Sequence, residues 1–283
     1  MRFEKWQALG NDYLILEEEL LPWPLNPNRV EWLCDQHFGV GADGVLLLSR
    51  SEDPRFVAEL RIFNPDGSEA ELSGNGAREA ILYLRRHGWT DEDTFTIGTA
   101  AGPIVPTITG ELTCTVEMGR ASTSSKDFPS GGEDGAGTLQ AAGREWAFQH
   151  VSIGNPQCAI VVGQELNDLD LDEIGPQIEA HELFPNRTNV SFLAIDGNRV
   201  QARIFERGVG ETLSSGTGAA GAAVTAFLRG AASPIVVELE GGELEVEVRE
   251  DLAVRLSGWA EPVYSGELSP ELIEALSELD DEE

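Results

Sequence analysis

The chain contains an imperfect second copy of its own central motif. Residues 61–80 read RIFNPDGSEAELSGNGAREA and residues 203–222 read RIFERGVGETLSSGTGAAGA. Aligned without gaps at an offset of 142, the two segments share nine of twenty positions. These are Arg61/Arg203, Ile62/Ile204, Phe63/Phe205, Glu69/Glu211, Ser73/Ser215, Gly74/Gly216, Gly76/Gly218, Ala77/Ala219 and Ala80/Ala222. A second echo, at an offset of 144, sets LGNDYLIL around Asn11 against IGNPQCAIVV around Asn155. An offset near half of the 283 residues points to two pseudo-equivalent halves, because the repeats of a solenoid are far shorter.

Each copy reads as strand, glycine-rich turn and helix. The first helix is expected over about 76–87 with Gly88 as its stop, and the second over about 218–228 with Gly230 ending it. The second, GAAGAAVTAFLRG, is apolar on every face and therefore reads as buried. Flanking stretches such as PIVVELEGGELEVEVRED alternate across a Gly-Gly turn, as antiparallel strands do. The expected fold is α/β, with two pseudo-symmetric halves, each a curved, mainly antiparallel sheet around a central helix. The polar, Ser- and Gly-rich stretch 120–143 reads as a surface connection between them. The halves are expected at 1–119 plus 260–283 and at 120–259. Near the end, SPELIEALSELDDEE has Pro and an acid in its first turn, as a helix start does, and its last acids are expected to fray.

Charge narrows the partners. The net charge is −31, which disfavours nucleic acid and anionic membranes, since both require a basic footprint. No apolar run approaches the roughly 20 residues of a membrane span, and MRFEKWQALGNDYLIL lacks a signal-peptide core. Three widely spaced cysteines, Cys34, Cys114 and Cys158, offer neither a disulfide framework nor a zinc pattern. A cytoplasmic protein acting on a small molecule is the expectation. Oligomeric state is left open, with a homodimer among the candidates.

Two glycine-rich helix starts suggest the chemistry. A buried helix N-terminus presents N–H donors and the positive end of the helix dipole, and Ser-Gly-x-Gly lets bare backbone approach an anion. One such loop reads equally well as a tight turn. Two related by an internal repeat can grip one carboxylate and leave Ser73 and Ser215 on either face of its α-carbon. FGVGADG at 38–44 has G-x-G-x-x-G spacing, but it follows a helix-like stretch and leads into a strand, the reverse of a dinucleotide fingerprint. The four histidines form no metal spacing, and Cys158 reads as a small core residue.

Several motifs, in order, resemble the diaminopimelate epimerase family: GND at 10–12, FGVGADG at 38–44, RIFNPDGSEAELSGNGAR at 61–78, GNP at 154–156, RTNVSF at 187–192, then FERGVGET and SSGTGA over 205–219. The resemblance implies a two-domain α/β fold with pseudo-twofold halves. It also implies cofactor-independent isomerisation of LL- and meso-diaminopimelate, for lysine and peptidoglycan synthesis, with neither metal nor pyridoxal phosphate. The reacting amino-acid end would be gripped by Asn11, Gly74, Asn75, Gly216 and Thr217. The distal end would be held by Asn64, Asn155, Asn189, Glu206 and Arg207. These residue types suit that role, since Arg207 can fork onto a carboxylate, while Glu206 and the asparagine carbonyls can accept from an ammonium.

The chain departs from the family at the acid and base. The family uses two cysteines there, whose thiols titrate at roughly 8.5 and so serve in either protonation state. Here Ser73 and Ser215 occupy those positions, and Gln157 stands where the family has histidine after the second GNP. A serine hydroxyl is a far weaker acid and needs a neighbour to activate it. Three accounts stay open at the level of sequence. The serines are introduced, to hold substrate without turnover; or they are natural and aided by helix-start donors and a neighbour such as Glu79; or the protein is a catalytically silent binder of a diaminopimelate-like ligand. A related amino-acid racemase or dehydratase with Ser/Ser chemistry is a further alternative.

Overall fold

In a computed structural model, residues 1–279 are described and the acidic end at 280–283 lies outside them. The chain divides into two compact units, one of residues 1–116 with 259–283, the other of 117–258. Five α-helices are described: α1 (Pro27–Cys34), α2 (Gly74–Arg86), α3 (Leu171–Glu179), α4 (Gly216–Leu228) and α5 (Pro270–Ser277).

The first unit is a seven-stranded mixed sheet. Its strands run in the order Glu261–Glu267, Arg2–Ala8, Asn11–Glu17, Val45–Ser49, Ala58–Phe63 and Glu69–Ala70, with Ile97–Thr99 also paired to Ala58–Phe63. Leu14, Ile15 and Leu16 are all buried, as are Val45 to Leu48, because both faces of the sheet are covered. Leu14, Leu16, Val45 and Leu47 pack into a core with Val30 and Leu33 of α1 and Leu276 of α5. On the other face α2 lies against Arg2–Ala8, Asn11–Glu17 and Val45–Ser49. The last helix is tied back by buried Arg29, which donates from Nε to the Leu276 carbonyl at 2.8 Å.

The second unit repeats the plan. Arg144–Ser152 pairs antiparallel with Pro156–Val161, which runs parallel to Asn189–Asp196, which pairs antiparallel with Arg199–Glu206. The last strand then takes Gly210–Thr212 antiparallel and Ile235–Leu239 parallel. The corresponding pairings of the first unit have the same directions in the same order. Register is kept too, with Phe63 opposite Glu69 and Phe205 opposite Glu211. In both hairpins an arginine forks onto a glutamate: Arg61 on Glu69 at 2.9 and 2.9 Å, Arg203 on Glu211 at 2.8 and 3.0 Å. The R-I-F and Glu identities of the repeat are therefore the residues that set this hairpin. Helix α4 sits among six strands, from Arg144–Ser152 to Gly242–Val248, and its Gly and Ala residues allow that close wrapping.

One strand was not expected. Ala136–Ala141 lies in the stretch read as surface connection, yet it pairs with Arg144–Ser152 across Ala142-Gly143, both at positive φ. Its alternation is carried only by Leu139 and Ala141, too little apolar surface to announce a strand. The first turns of α2 and α4 also begin two residues earlier than expected, at Gly74 and Gly216, because the serine before each acts as the cap.

The outer core of the second unit centres on Phe192, fully buried, with its ring edge-on to Trp146 at 5.6 Å. Phe192→Ala is expected to lower unfolding free energy by about 3–5 kcal/mol, through lost transfer energy and a residual cavity. Urea denaturation followed by tryptophan fluorescence measures it.

Candidate active site

Each glycine-rich helix starts hard against its own sheet. A Cβ placed on Gly76 would stand 2.9 Å from Leu46 Cδ2, and one on Gly218 would stand 2.5 Å from Ile204 Cδ1. A larger residue at either position would require that strand side chain to move. The serines before them are extended, at φ −122° and −146°, and cap their helices. Ser73 Oγ accepts the Gly76 N–H at 3.1 Å, and Ser215 Oγ accepts the Gly218 N–H at 3.2 Å. The N–H groups of Gly74 and Gly216 are left without an intrahelical acceptor, at the positive end of each dipole.

In the first unit the site residues form one chain of hydrogen bonds. Arg78, wholly buried, donates to Asn75 Oδ1 at 2.6 Å and to the Gly74 carbonyl at 3.0 Å. Asn75 Nδ2 donates to Asn11 Oδ1 at 3.2 Å, and Asn11 Nδ2 donates to Asp43 Oδ2 at 2.9 Å. Behind Ser73, the Tyr13 hydroxyl donates to Oγ at 3.1 Å. Asn64 belongs to the neighbouring turn, where its Nδ2 donates to Ser68 Oγ at 2.9 Å.

The second unit makes the analogous links with different residues. Asn155 Nδ2 donates to Thr217 Oγ1 at 3.2 Å, the positional counterpart of the Asn11–Asn75 contact with the donor reversed, and Asn155 Oδ1 accepts from buried Gln157 at 2.8 Å. Asn189, 4% exposed, donates to the Pro156 carbonyl at 3.0 Å and accepts the Arg207 N–H at 2.9 Å. The Arg207 guanidinium is exposed and donates to the Asn186 carbonyl at 3.1 Å. Glu206 accepts the Thr212 hydroxyl at 2.8 Å and the Ser215 hydroxyl at 3.1 Å. Burial raises the Glu206 pKa above the ordinary carboxylate value, partly offset by those two donors.

The neighbours of the two serines were not evident from sequence. Ser215 is met by Glu206, and Ser73 by Tyr13 rather than by Glu79. The available signals were strand alternation, which puts Tyr13 on the same side as Asn11, and helical spacing, which sets Arg78 three residues from Asn75. The thiols lie elsewhere: burial pushes Cys34 and Cys114 up to about 12 and Cys158 in the same direction, so none is poised for proton transfer.

Solved structures share this architecture. A probable proline racemase from Agrobacterium radiobacter matches at a TM-score of 0.63 and 16% identity, over 96% of this chain and 95% of its own. A phenazine biosynthesis protein from Bacillus anthracis matches at 0.65 and 19%, over 95% and 99%. These likenesses define the fold class alone. The sequence comparisons are more specific. The pattern of the diaminopimelate epimerase family matches residues 3–124 and 149–259. A diaminopimelate epimerase 2 from Nostoc sp. is 39% identical over 96% of this chain and 97% of its own length. A diaminopimelate epimerase from Synechococcus sp. is 42% identical over 94% and 97%. The chain belongs to the diaminopimelate epimerase family.

Beside Arg78, Glu79 is also wholly buried, and neither carboxyl oxygen makes a well-formed hydrogen bond. Burial holds its pKa well above 4.5, with Arg78 opposing and Asp12 and Asp43 adding to the shift. A folded-state carboxyl with a raised pKa stabilises fully only below its unfolded pKa and loses that contribution as pH rises. Glu79→Gln should therefore match the parent near about pH 4 and exceed it increasingly above, by up to about 1.4 kcal/mol per pH unit. Urea titrations across that range provide the measurement.

Proposed function

We propose that this chain interconverts LL- and meso-2,6-diaminopimelate by proton transfer at Cα, one serine hydroxyl serving each face of the carbon. The observation that carries the reading is the serine-capped, glycine-rich helix start present once in each unit, each with an asparagine bonded to the second helical residue. Membership of the family supports the substrate. In this reading Asn11, Gly74, Asn75, Gly216 and Thr217 hold the reacting amino-acid end, and the helix-start N–H groups stabilise the enolate charge that develops there. Asn64, Asn155, Asn189 and Arg207 hold the distal end. Glu206 moves from the distal ammonium to proton transfer: its bond with Ser215 makes it the base that draws the hydroxyl proton as Oγ takes the Cα proton. The steps require no metal or pyridoxal phosphate.

Two coarser points frame the proposal. No helix among the described residues is long and apolar enough to cross a membrane, and a cytoplasmic location is part of the proposal. A homodimer is the proposed assembly. It is supported by the outer strand Glu261–Glu267, which carries exposed Val263 and Tyr264 along an open sheet edge, and sedimentation would test it.

The decisive experiment is Cα-deuterium exchange in D₂O with LL- and meso-diaminopimelate. It compares the parent chain, Glu206→Gln, and the double variant Ser73→Cys with Ser215→Cys. Exchange by the parent is expected. Glu206→Gln should slow it by about 10²–10⁴-fold, the span of general acid–base catalysis. The parent's acid limb should fall above the ordinary carboxylate range, because burial raises Glu206 and only its ionised form is a base. Binding with exchange only in the double-cysteine form would mark a silent binder, and no binding by any form would overturn the substrate.

A further inference from the structure

The two serines are wired differently. A hydroxyl has one proton to give and two lone pairs with which to accept. Ser73 Oγ accepts from the Gly76 N–H and from the Tyr13 hydroxyl, both at 3.1 Å, so both acceptor positions are used and its own proton is what it has left to give. Ser215 Oγ accepts from the Gly218 N–H at 3.2 Å and gives its proton to Glu206 at 3.1 Å, so a lone pair is what it has left to offer. One serine is preset to donate and the other to accept.

The partners do not come from equivalent positions. Glu206 corresponds to Asn64 at the offset of 142, and Asn64 bonds Ser68 instead of Ser73. Tyr13 corresponds to Gln157 at the offset of 144, and Gln157 bonds Asn155 instead of Ser215. The phenol ring also occupies a slot cut for it. It is 6% exposed, and a Cβ on Gly44 would stand 2.7 Å from its Cε1, one on Gly76 3.3 Å from its Cε2. Two glycines hold the ring so that its hydroxyl reaches Ser73.

Resting on the function proposed above, we infer that Tyr13 is a positioning residue and proton relay behind Ser73, the counterpart on the acid side of Glu206 on the base side. As Ser215 Oγ takes the Cα proton, its own hydroxyl proton passes to Glu206. As Ser73 gives its proton to the opposite face of Cα, the Tyr13 proton moves to Ser73 Oγ. Both serines end as hydroxyls, Glu206 ends protonated and Tyr13 ends as phenolate. One proton returned from Glu206 to Tyr13 through solvent restores the resting form. No free serine alkoxide is needed, and negative charge at Tyr13 lies near the positive end of α2, where buried Arg78 adds a cation.

The test is Tyr13→Phe, which removes one oxygen and leaves the ring in its slot. Cα exchange and epimerisation of diaminopimelate should fall in kcat by about 10²-fold or more, with KM within about twofold. Adding Ser73→Cys to Tyr13→Phe should restore turnover, since a thiol titrating near roughly 8.5 needs no phenol behind it. Unchanged kcat in Tyr13→Phe, a loss confined to KM, or failure of Ser73→Cys to rescue would overturn the relay. If the parent and Glu206→Gln behave as expected while Tyr13→Phe is unimpaired, the relay falls and the epimerase reading stands. A parent that exchanges neither isomer removes both.

Discussion

A helix whose first turn is pressed onto a sheet leaves little room for a side chain at the residue that touches the strands, and this steric limit shapes both units. At Gly76 and Gly218 the strand side chains already occupy the space of a Cβ. What the helix start then presents is backbone N–H groups aimed along the dipole, beside the side chains of Asn75 and Thr217. The residue before it must cap, and serine caps well, contributing about 1 kcal/mol over alanine. The same Oγ that caps is the one proposed to handle the Cα proton. Structure and chemistry therefore share an atom, and the Gly76 and Gly218 N–H groups that hold Oγ in place also stabilise any negative charge it acquires.

An acidic protein must still offer positive potential to a dicarboxylate. Arg78 supplies it at short range in the first unit, since its guanidinium is wholly buried and bonded at the helix start. Burial pushes the carboxyl of its neighbour Glu79 toward the neutral form, with Arg78 opposing that shift. Lys5 and Asp12 offset one another at 2.9 Å nearby. The net charge of −31 is a property of the surface, where salt screens it, whereas a buried cation beside helix N–H groups acts through a less polarisable medium.

The frame of the fold was legible because it is repeated. R-I-F, the hairpin Glu, the serine and the glycines recur at one offset since both units must make the same hairpin, fork the same Arg–Glu pair and start the same close-packed helix. Gly88 and Gly230 ended the helices as expected, both at positive φ. The Ala136–Ala141 strand was not legible, because its stability comes from pairing with Arg144–Ser152 and not from its own pattern. Nor were the serine partners. Tyr13 meets Ser73 across 60 residues, a relation created by the placement of α2 over Asn11–Glu17. Glu206 lies only nine residues before Ser215, yet the family resemblance assigned it to a distal ammonium, and only the folded hairpin brings its carboxylate to the hydroxyl.

Duplication explains why the frame is symmetric, and the reaction explains why the partners cannot be. Residues that set backbone geometry face identical demands in both units, so they stay alike. Moving a proton off one face of a carbon and onto the other requires an acceptor and a donor at the same moment. Two like groups behind the serines could divide these roles only if their surroundings held them in different protonation states. A carboxylate behind one serine and a phenol behind the other differ from the outset. With thiols the serine positions could be chemically alike, because a group titrating near neutrality takes either role unaided. With hydroxyls the difference must be built into what stands behind them. The divergence of Tyr13 from Gln157 and of Glu206 from Asn64 is where an otherwise repeated structure meets that requirement.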